Sequence, residues 1–444
     1  MKTKQRRVSN TRLIALSFLG IILLGACLLC LPISSKSGNW TAFSDACFTA
    51  TSATCVTGLV VVDTFSHWTL FGQIVILCMI QIGGLGLMTL MAAFALFLKR
   101  RMNLQERRLL LQSSGGLEYS GLRRVVKRIL LGTFLIEGVG AVILACRFCG
   151  QMGFARGVYY AVFHAVSAFC NAGFDLMGSF DSLTAYSADA VVCLTVAALI
   201  VIGGIGFIVW DDILRNGIYI RRYTLHSKIV LSTTAVLLFG GAALFFVLEQ
   251  HGALQGLSIG EQVLGAVFQS ATTRTAGFDA IGQPSLSNGG CILTVVLMLI
   301  GGSPGSTAGG IKTMTVAVAL LAVLSIAKNR KDTTAFRRRI HEQQVKQALA
   351  ILVIYSLLFL CACALISAIE PAKALKSVVF EVSSAVATVG LSLEGSGSFS
   401  LASQIVLMGL MFVGRIGGLS LVMMLAEKRE GVPLERPEEK ILIG

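Results

Sequence analysis

Apolar residues fall in long blocks rather than in the short alternation of a half-buried strand. Eight blocks come near or past the ~20 residues that a helix needs to cross a bilayer: 13–31, 70–98, 129–146, 190–210, 229–248, 291–327, 348–369 and 401–426. The pattern predicts eight membrane-spanning helices. The sixth block is interrupted by Gly301-Gly302-Ser303-Pro304-Gly305-Ser306-Thr307-Ala308-Gly309-Gly310. Such a break is tolerated at membrane depth only where protein or a water-filled cavity surrounds it.

The polar stretches between odd and even blocks share a pattern. Each ends in a short motif with glycine: Val56-Thr57-Gly58, Asn171-Ala172-Gly173, Thr275-Ala276-Gly277 and Thr388-Val389-Gly390. The four glycines lie 115, 104 and 113 residues apart, close to a quarter of the 444-residue chain. Three motifs carry Phe ten residues before the glycine (Phe48, Phe163, Phe380) and Ser six before (Ser52, Ser167, Ser384); the third motif departs from that register. A Gly-Gly pair follows in the next block each time, at Gly83-Gly84, Gly203-Gly204, Gly301-Gly302 and Gly417-Gly418. Ordinary glycine-mediated helix packing does not explain this recurrence. Periodicity decides architecture. The expected fold is an all-α polytopic membrane protein with four tandem helix–pore loop–helix repeats, 1–110, 111–222, 223–340 and 341–444, around a pseudo-fourfold central pore. Short pore helices are predicted over 41–54, 158–169, 260–272 and 374–386.

Four such loops would bring backbone carbonyls to one point, where they can replace the hydration shell of a monovalent cation. Glycine reaches positive φ at little cost and lets neighbouring carbonyls aim inward. The preceding Thr, Val, Ala and Asn residues leave the backbone as ligand. The C-terminal ends of the short helices carry partial negative charge toward the cation. Asp63, Asp175, Asp279 and Glu394 follow their glycines closely and are candidates for an outer ring that concentrates cations.

Composition narrows the class further. Charged residues make up 14% of the chain and hydrophobic ones 55%, with a mean hydropathy of +0.79; soluble domains carry about 25% charged residues. A soluble globule and a disordered chain are both excluded. The net charge of +14 has a location: 29 of 37 Lys and Arg lie in the amino terminus, near 99–128, 215–228 and 328–346, and in the carboxyl terminus. That bias puts both termini in the cytoplasm and accounts for the basic pI without nucleic acid. The first block resembles a signal peptide, with Leu24-Gly25-Ala26-Cys27 like a lipoprotein cleavage site, but the fourfold pattern needs this helix. The spacings Cys27/Cys30 and Cys146/Cys149 lie in or beside apolar blocks without clustered His, and read as small hydrophobes rather than metal ligands.

The four loops, the interrupted sixth block and Val413-Gly414-Arg415-Ile416-Gly417-Gly418 resemble the Trk/Ktr/HKT superfamily of potassium transporters over essentially the whole chain. Eight blocks and the tail Pro437-Glu438-Glu439-Lys440-Ile441-Leu442-Ile443-Gly444 are most similar to the membrane subunits of bacterial Ktr systems. The resemblance implies K+ held by filter backbone carbonyls, with a glycine present in all four loops. It also implies a gate formed by residues 301–310 with Arg415, a homodimer with its contact at 441–444, Na+ stimulation, and a separate cytoplasmic ring of nucleotide-binding, KtrA-like subunits. No G-x-G-x-x-G follows a strand pattern in this chain, so no nucleotide sensor is expected within it. The basic loops near 100–128 and 328–346 suit either such a ring or lipid headgroups.

Charge inside the apolar blocks fits the gate. A charged residue there costs roughly 2.5–3.5 kcal/mol and usually faces a cavity or a partner. Arg415 would repel a cation in its path or hold the loop's carbonyls in place, while Lys312 and Glu137 read as structural pairing groups. Two enzyme-like patterns fail. Gly301-x-Ser303-x-Gly305 has nucleophile spacing, yet an intramembrane serine hydrolase needs a base against Ser303, and His67, His164, His226, His251 and His341 all lie outside the eight blocks. The glycine-rich run also fails as a phosphate loop, because Ile311 separates Gly310 from Lys312. A symporter normally needs a buried titratable relay, and Glu137 offers little of one. The expectation is a gated, passive cation pathway without cofactor or enzymatic activity.

Overall fold

The structure is a computed structural model that describes residues 10–86 and 122–417. Residues 1–9, 87–121 and 418–444 lie outside the described residues, and with them the end of the second block, most of the first basic loop, Gly418 and the carboxyl-terminal tail.

Helices dominate, in the order α1 (Asn10–Cys30), α2 (Phe43–Cys55), α3 (Thr64–His67), α4 (Leu70–Leu85), α5 (Leu122–Met152), α6 (Phe154–Phe169), α7 (Ala190–Gly204), α8 (Phe207–Asn216), α9 (Leu225–Glu249), α10 (Ile259–Thr272), α11 (Asn288–Leu299), α12 (Thr313–Ala327), α13 (Glu342–Ile369), α14 (Leu375–Ala387) and α15 (Leu401–Ile416). A two-residue hairpin, β1 (Thr334–Ala335) with β2 (Arg338–Arg339), joins α12 to α13. Val126–Met152, Leu225–Glu249 and Glu342–Ile369 are long and apolar enough to cross a membrane, and the pair α7 with α8 passes the same test if counted as one bent span. Their exposed residues are largely apolar: Phe134, Leu135, Val139 and Val142 on α5, and Val353, Leu357 and Leu360 on α13. In water such stripes would be a liability. Against lipid tails they are the expected outer surface, and the chain is a membrane protein.

The predicted short helices are present as α2, α6, α10 and α14. The helix that follows each loop starts on a polar cap: Thr69 for α4, Asp189 for α7, Ser287 for α11 and Ser400 for α15 each accept a backbone N–H of the first turn. Such caps satisfy donors the helix itself cannot. Packing follows a cycle. α4 lies against α6, α7 against α10, α11 against α14, and α15 against α2.

Block 190–210 is not one straight helix. α7 stops at Gly204, and α8 leaves at 95° to it. Gly206 takes φ +95 at the corner, and the first N–H of α8, from Phe207, goes to the Gly305 carbonyl instead of continuing the ladder of α7. Hydropathy sees both halves as apolar and misses the bend.

Candidate ion pathway

The four glycine motifs converge. A Cβ built on Gly58 would lie 3.1 Å from the Cα of Gly173; one on Gly173 would lie 3.0 Å from that of Gly277; one on Gly277, 3.0 Å from that of Gly390; and one on Gly390, 3.0 Å from that of Gly58. The contacts close into a ring of four backbones too tight for any side chain. All four glycines have positive φ (94, 69, 79 and 103), and so do the residues two positions earlier: Val56 (57), Asn171 (59), Thr275 (77) and Thr388 (53). For Val and Thr this left-handed backbone is strained. Its recurrence at one register in all four loops marks a shared backbone shape that the surroundings impose.

Each loop is held from behind. Ser52 and Ser384 accept the N–H of Gly58 and Gly390 through their hydroxyls, at 3.0 and 2.9 Å. Ser167 and Thr272 instead donate to the carbonyls of Phe174 and Phe278, both at 2.7 Å. Thr272 explains the irregular third motif. With Phe268 nine residues before its glycine and Thr272 five before, that loop is one residue shorter than its counterparts. Phe268 is buried like Phe48, Phe163 and Phe380. A one-residue gap in the sequence comparison exposes the match. Asn171 and Thr275 join the second and third loops through their side chains at 3.2 Å. The hydroxyls of Thr57 and Thr388 are buried without a hydrogen-bond partner among the described residues.

The helices after the loops approach the same backbones. Cβ atoms on Gly83, Gly203 and Gly414 would collide with the carbonyl oxygens of Thr54, Phe169 and Val386, each four residues before a ring glycine. On α15 the packing glycine is therefore Gly414 rather than Gly417, which has nothing within 4 Å of a built Cβ. Gly417 (φ +88) ends α15, as Gly86 (φ +78) ends α4.

Residues 301–310 pack against the residues that precede two of the ring glycines. Gly301 N–H donates to the Ile311 carbonyl and Thr313 N–H to the Gly302 carbonyl, closing the base of the loop at 2.8 and 3.0 Å. Ser303 N–H reaches the Gly204 carbonyl at 2.9 Å, and the Thr307 hydroxyl donates to the Phe169 carbonyl at 3.0 Å. Gly309 lies against Thr388, and Gly310 against Ala387. Lys312 Nζ donates to the Ala308 carbonyl at 2.6 Å. Arg415 donates to the Thr307 carbonyl and to those of Gly83 and Gly84. One guanidinium thus ties the loop to the end of α4 from α15. Among the described residues Ser303 Oγ meets the Thr313 hydroxyl, at 3.0 Å, and no basic side chain. Glu137 accepts from Gln81 Nε2 at 3.1 and 3.3 Å.

The outer acids are unequal. Asp63 accepts the N–H groups of Ser66 and Phe180, and Asp279 those of Ile281, Gly282 and Gln283, so both organise their loops. Glu394 forms an ion pair with Lys373 at 2.7 Å and accepts from the Ser377 hydroxyl. That pair holds its carboxyl below the usual range. Asp175 is different. Burial pushes it up to about 7, with Asp63, Asp181 and Asp279 adding to the rise despite a hydrogen bond from Met177 N–H. Asp181 stands eight residues past its glycine, too far to share the spacing of the other four acids.

This geometry has relatives. Residues 3–431 match the TrkH family, described as a cation transport protein. The chain belongs to the TrkH family. It is 40% identical to the potassium/sodium uptake protein NtpJ of Enterococcus hirae, over 100% of this chain and 99% of that protein. It is 39% identical to the Ktr system potassium uptake protein B of Vibrio alginolyticus, over 100% and 97%. The crystal structure of the potassium transporter TrkH from Vibrio parahaemolyticus has the same fold, with a TM-score of 0.72 at 20% identity, covering 96% of this chain and 87% of that one. The TrkH family is one of ion transporters, not of enzymes, which removes the hydrolase reading of Ser303.

Proposed function

We propose that the chain is the K+-conducting subunit of a K+ uptake system. The observation that carries this is the ring of Gly58, Gly173, Gly277 and Gly390 with left-handed backbone two residues before each. Val56, Thr57, Asn171, Ala172, Thr275, Ala276, Thr388 and Val389 complete the filter, and their carbonyls replace water around a dehydrated cation. Four units, 1–110, 111–222, 223–340 and 341–444, surround one central pathway with eight spans and both termini in the cytoplasm. The names of the Enterococcus and Vibrio relatives support potassium, and the first includes sodium as well, consistent with Na+ stimulation.

Below the filter, the loop 301–310 is the gate. Its bonds to Gly204, Phe169 and Arg415 hold it across the pathway, and the positive charge of Arg415 opposes a cation there. Opening exchanges these bonds for others, a two-state change of the kind that a regulator can bias. The Ktr relatives belong to a named system, which supports a separate regulatory component; a nucleotide-binding, KtrA-like ring and a homodimer are our assignments from the family resemblance. Potential drives the flux, since Glu137 is engaged by Gln81 and the Cys170 thiol rather than by a chain of carboxylates or histidines among the described residues.

Rubidium uptake by cells lacking their own K+ transporters tests the proposal. Expressed with a Ktr-type regulatory ring, the chain should restore growth at low K+ and take up rubidium. Absence of both, with the protein present in the membrane, contradicts it.

A further inference from the structure

We propose that α8 and the turn after it form a binding site for anionic phospholipid headgroups of the cytoplasmic leaflet, coupled to the gate loop. The inference rests on the orientation and gate proposed above.

Three observations meet here. First, α8 stands at 95° to α7, so when α7 crosses the membrane α8 lies along its surface. Second, its exposed side is both apolar and basic. Leu214, Ile218, Tyr219 and Ile220 are 72%, 90%, 63% and 64% exposed, interleaved with Arg215, Arg221 and Arg222. The Arg222 guanidinium lies over the Tyr219 ring at 5.2 Å. Apolar residues that enter the acyl boundary beside arginines at headgroup level are the pattern of an interfacial segment. Of the acids, Asp212 is buried and accepts from Thr224 and Asn216, while Asp211 pairs with Arg128 of α5 at 2.5 Å and also with Arg215 at 2.7 Å. Arg221 and Arg222 form no ion pair among the described residues. Their charge complements a phosphate, and each arginine near an anionic surface is worth roughly a five-fold gain in binding.

Third, the segment is wired to the gate. Phe207 N–H, the first of α8, donates to the Gly305 carbonyl at 2.8 Å, and a Cβ on Gly206 would meet the Pro304 carbonyl at 2.7 Å. Trp210 Nε1 donates to the Ile202 carbonyl at 3.0 Å and braces the corner. Lipid that holds α8 in the membrane plane therefore holds Gly305, and with it the loop, in the blocking position.

The test compares rubidium flux of the full-length protein in phosphatidylcholine vesicles with flux in mixed phosphatidylcholine and phosphatidylglycerol vesicles, together with phosphatidylglycerol retention by native mass spectrometry. Wild-type flux should fall roughly two-fold or more in the anionic vesicles. The Arg215→Gln/Arg221→Gln/Arg222→Gln variant should keep its flux in neutral vesicles, lose the lipid response and retain less phosphatidylglycerol. Phe207→Pro removes the donor at a helix position that accepts proline; it should retain lipid yet lose the response. Equal lipid retention by the triple variant and wild type overturns the site. Unchanged lipid response in Phe207→Pro overturns the coupling. Dependence of a soluble regulatory ring on the three arginines, with equal wild-type flux in both vesicles, overturns lipid in favour of protein. Failure of the gate itself is read separately, by deleting 302–309: unchanged flux then removes the gate, whatever the lipid result.

Discussion

The Arg415 guanidinium donates to the Thr307 carbonyl, joining α15 to the broken span 108 residues away in sequence. Together with its bonds to Gly83 and Gly84 it links α15, the loop 301–310 and the end of α4. A hydrogen bond to a charged group is worth about 1.5–3 kcal/mol. Arg415→Ala should therefore release the loop and raise rubidium flux roughly ten-fold, with some loss of thermal stability. Flux that is unchanged would mean that the loop is held elsewhere.

Glycine packing gives a stability prediction with an internal control. Gly203 has no room for a methyl against the Phe169 carbonyl, whereas Gly240 on α9 has nothing within 4 Å of a built Cβ. Gly203→Ala should cost about 1–3 kcal/mol through overpacking. Gly240→Ala should be neutral or stabilising by up to ~1 kcal/mol. Thermal unfolding in detergent ranks the two, and equal melting temperatures would show that the close approach carries no energy.

Asp175 predicts a pH dependence. Its carboxyl, raised to about 7, is charged above that pH and neutral below it. Attraction of cations to the mouth should weaken as external pH falls through about 7, and K+ half-saturation should rise. Asp175→Asn should flatten the profile. Glu394→Gln should leave it intact, because Lys373 already occupies that carboxylate. A flat wild-type profile would dissociate Asp175 from ion entry.

Much of this arrangement is legible in the sequence. The short helices end where the glycine motifs placed them, because a helix must stop where Val56 or Thr388 turns left-handed. The break at 301–310 was visible as glycine inside an apolar block. What stayed hidden depends on non-local contacts. The shortened third loop became readable only through the Thr272–Phe278 bond, and the bend at Gly206 through the carbonyl of Gly305 a hundred residues later. Gly414 and Gly417 look alike in sequence, and only Val386 separates their roles. Charge alone could not tell Asp175 from Glu394, since Lys373 reaches Glu394 from twenty-one residues away.

The ring of glycines as a K+ filter is tested most directly by Na+ competition against rubidium uptake in Gly277→Ser, normalised to the protein present in the membrane. At φ +79 and with the Gly390 backbone against it, serine cannot keep the ring closed. Na+ should compete roughly ten-fold better than in wild type, equivalent to about 1.4 kcal/mol of discrimination. Wild-type discrimination in a variant that still conducts would contradict the filter.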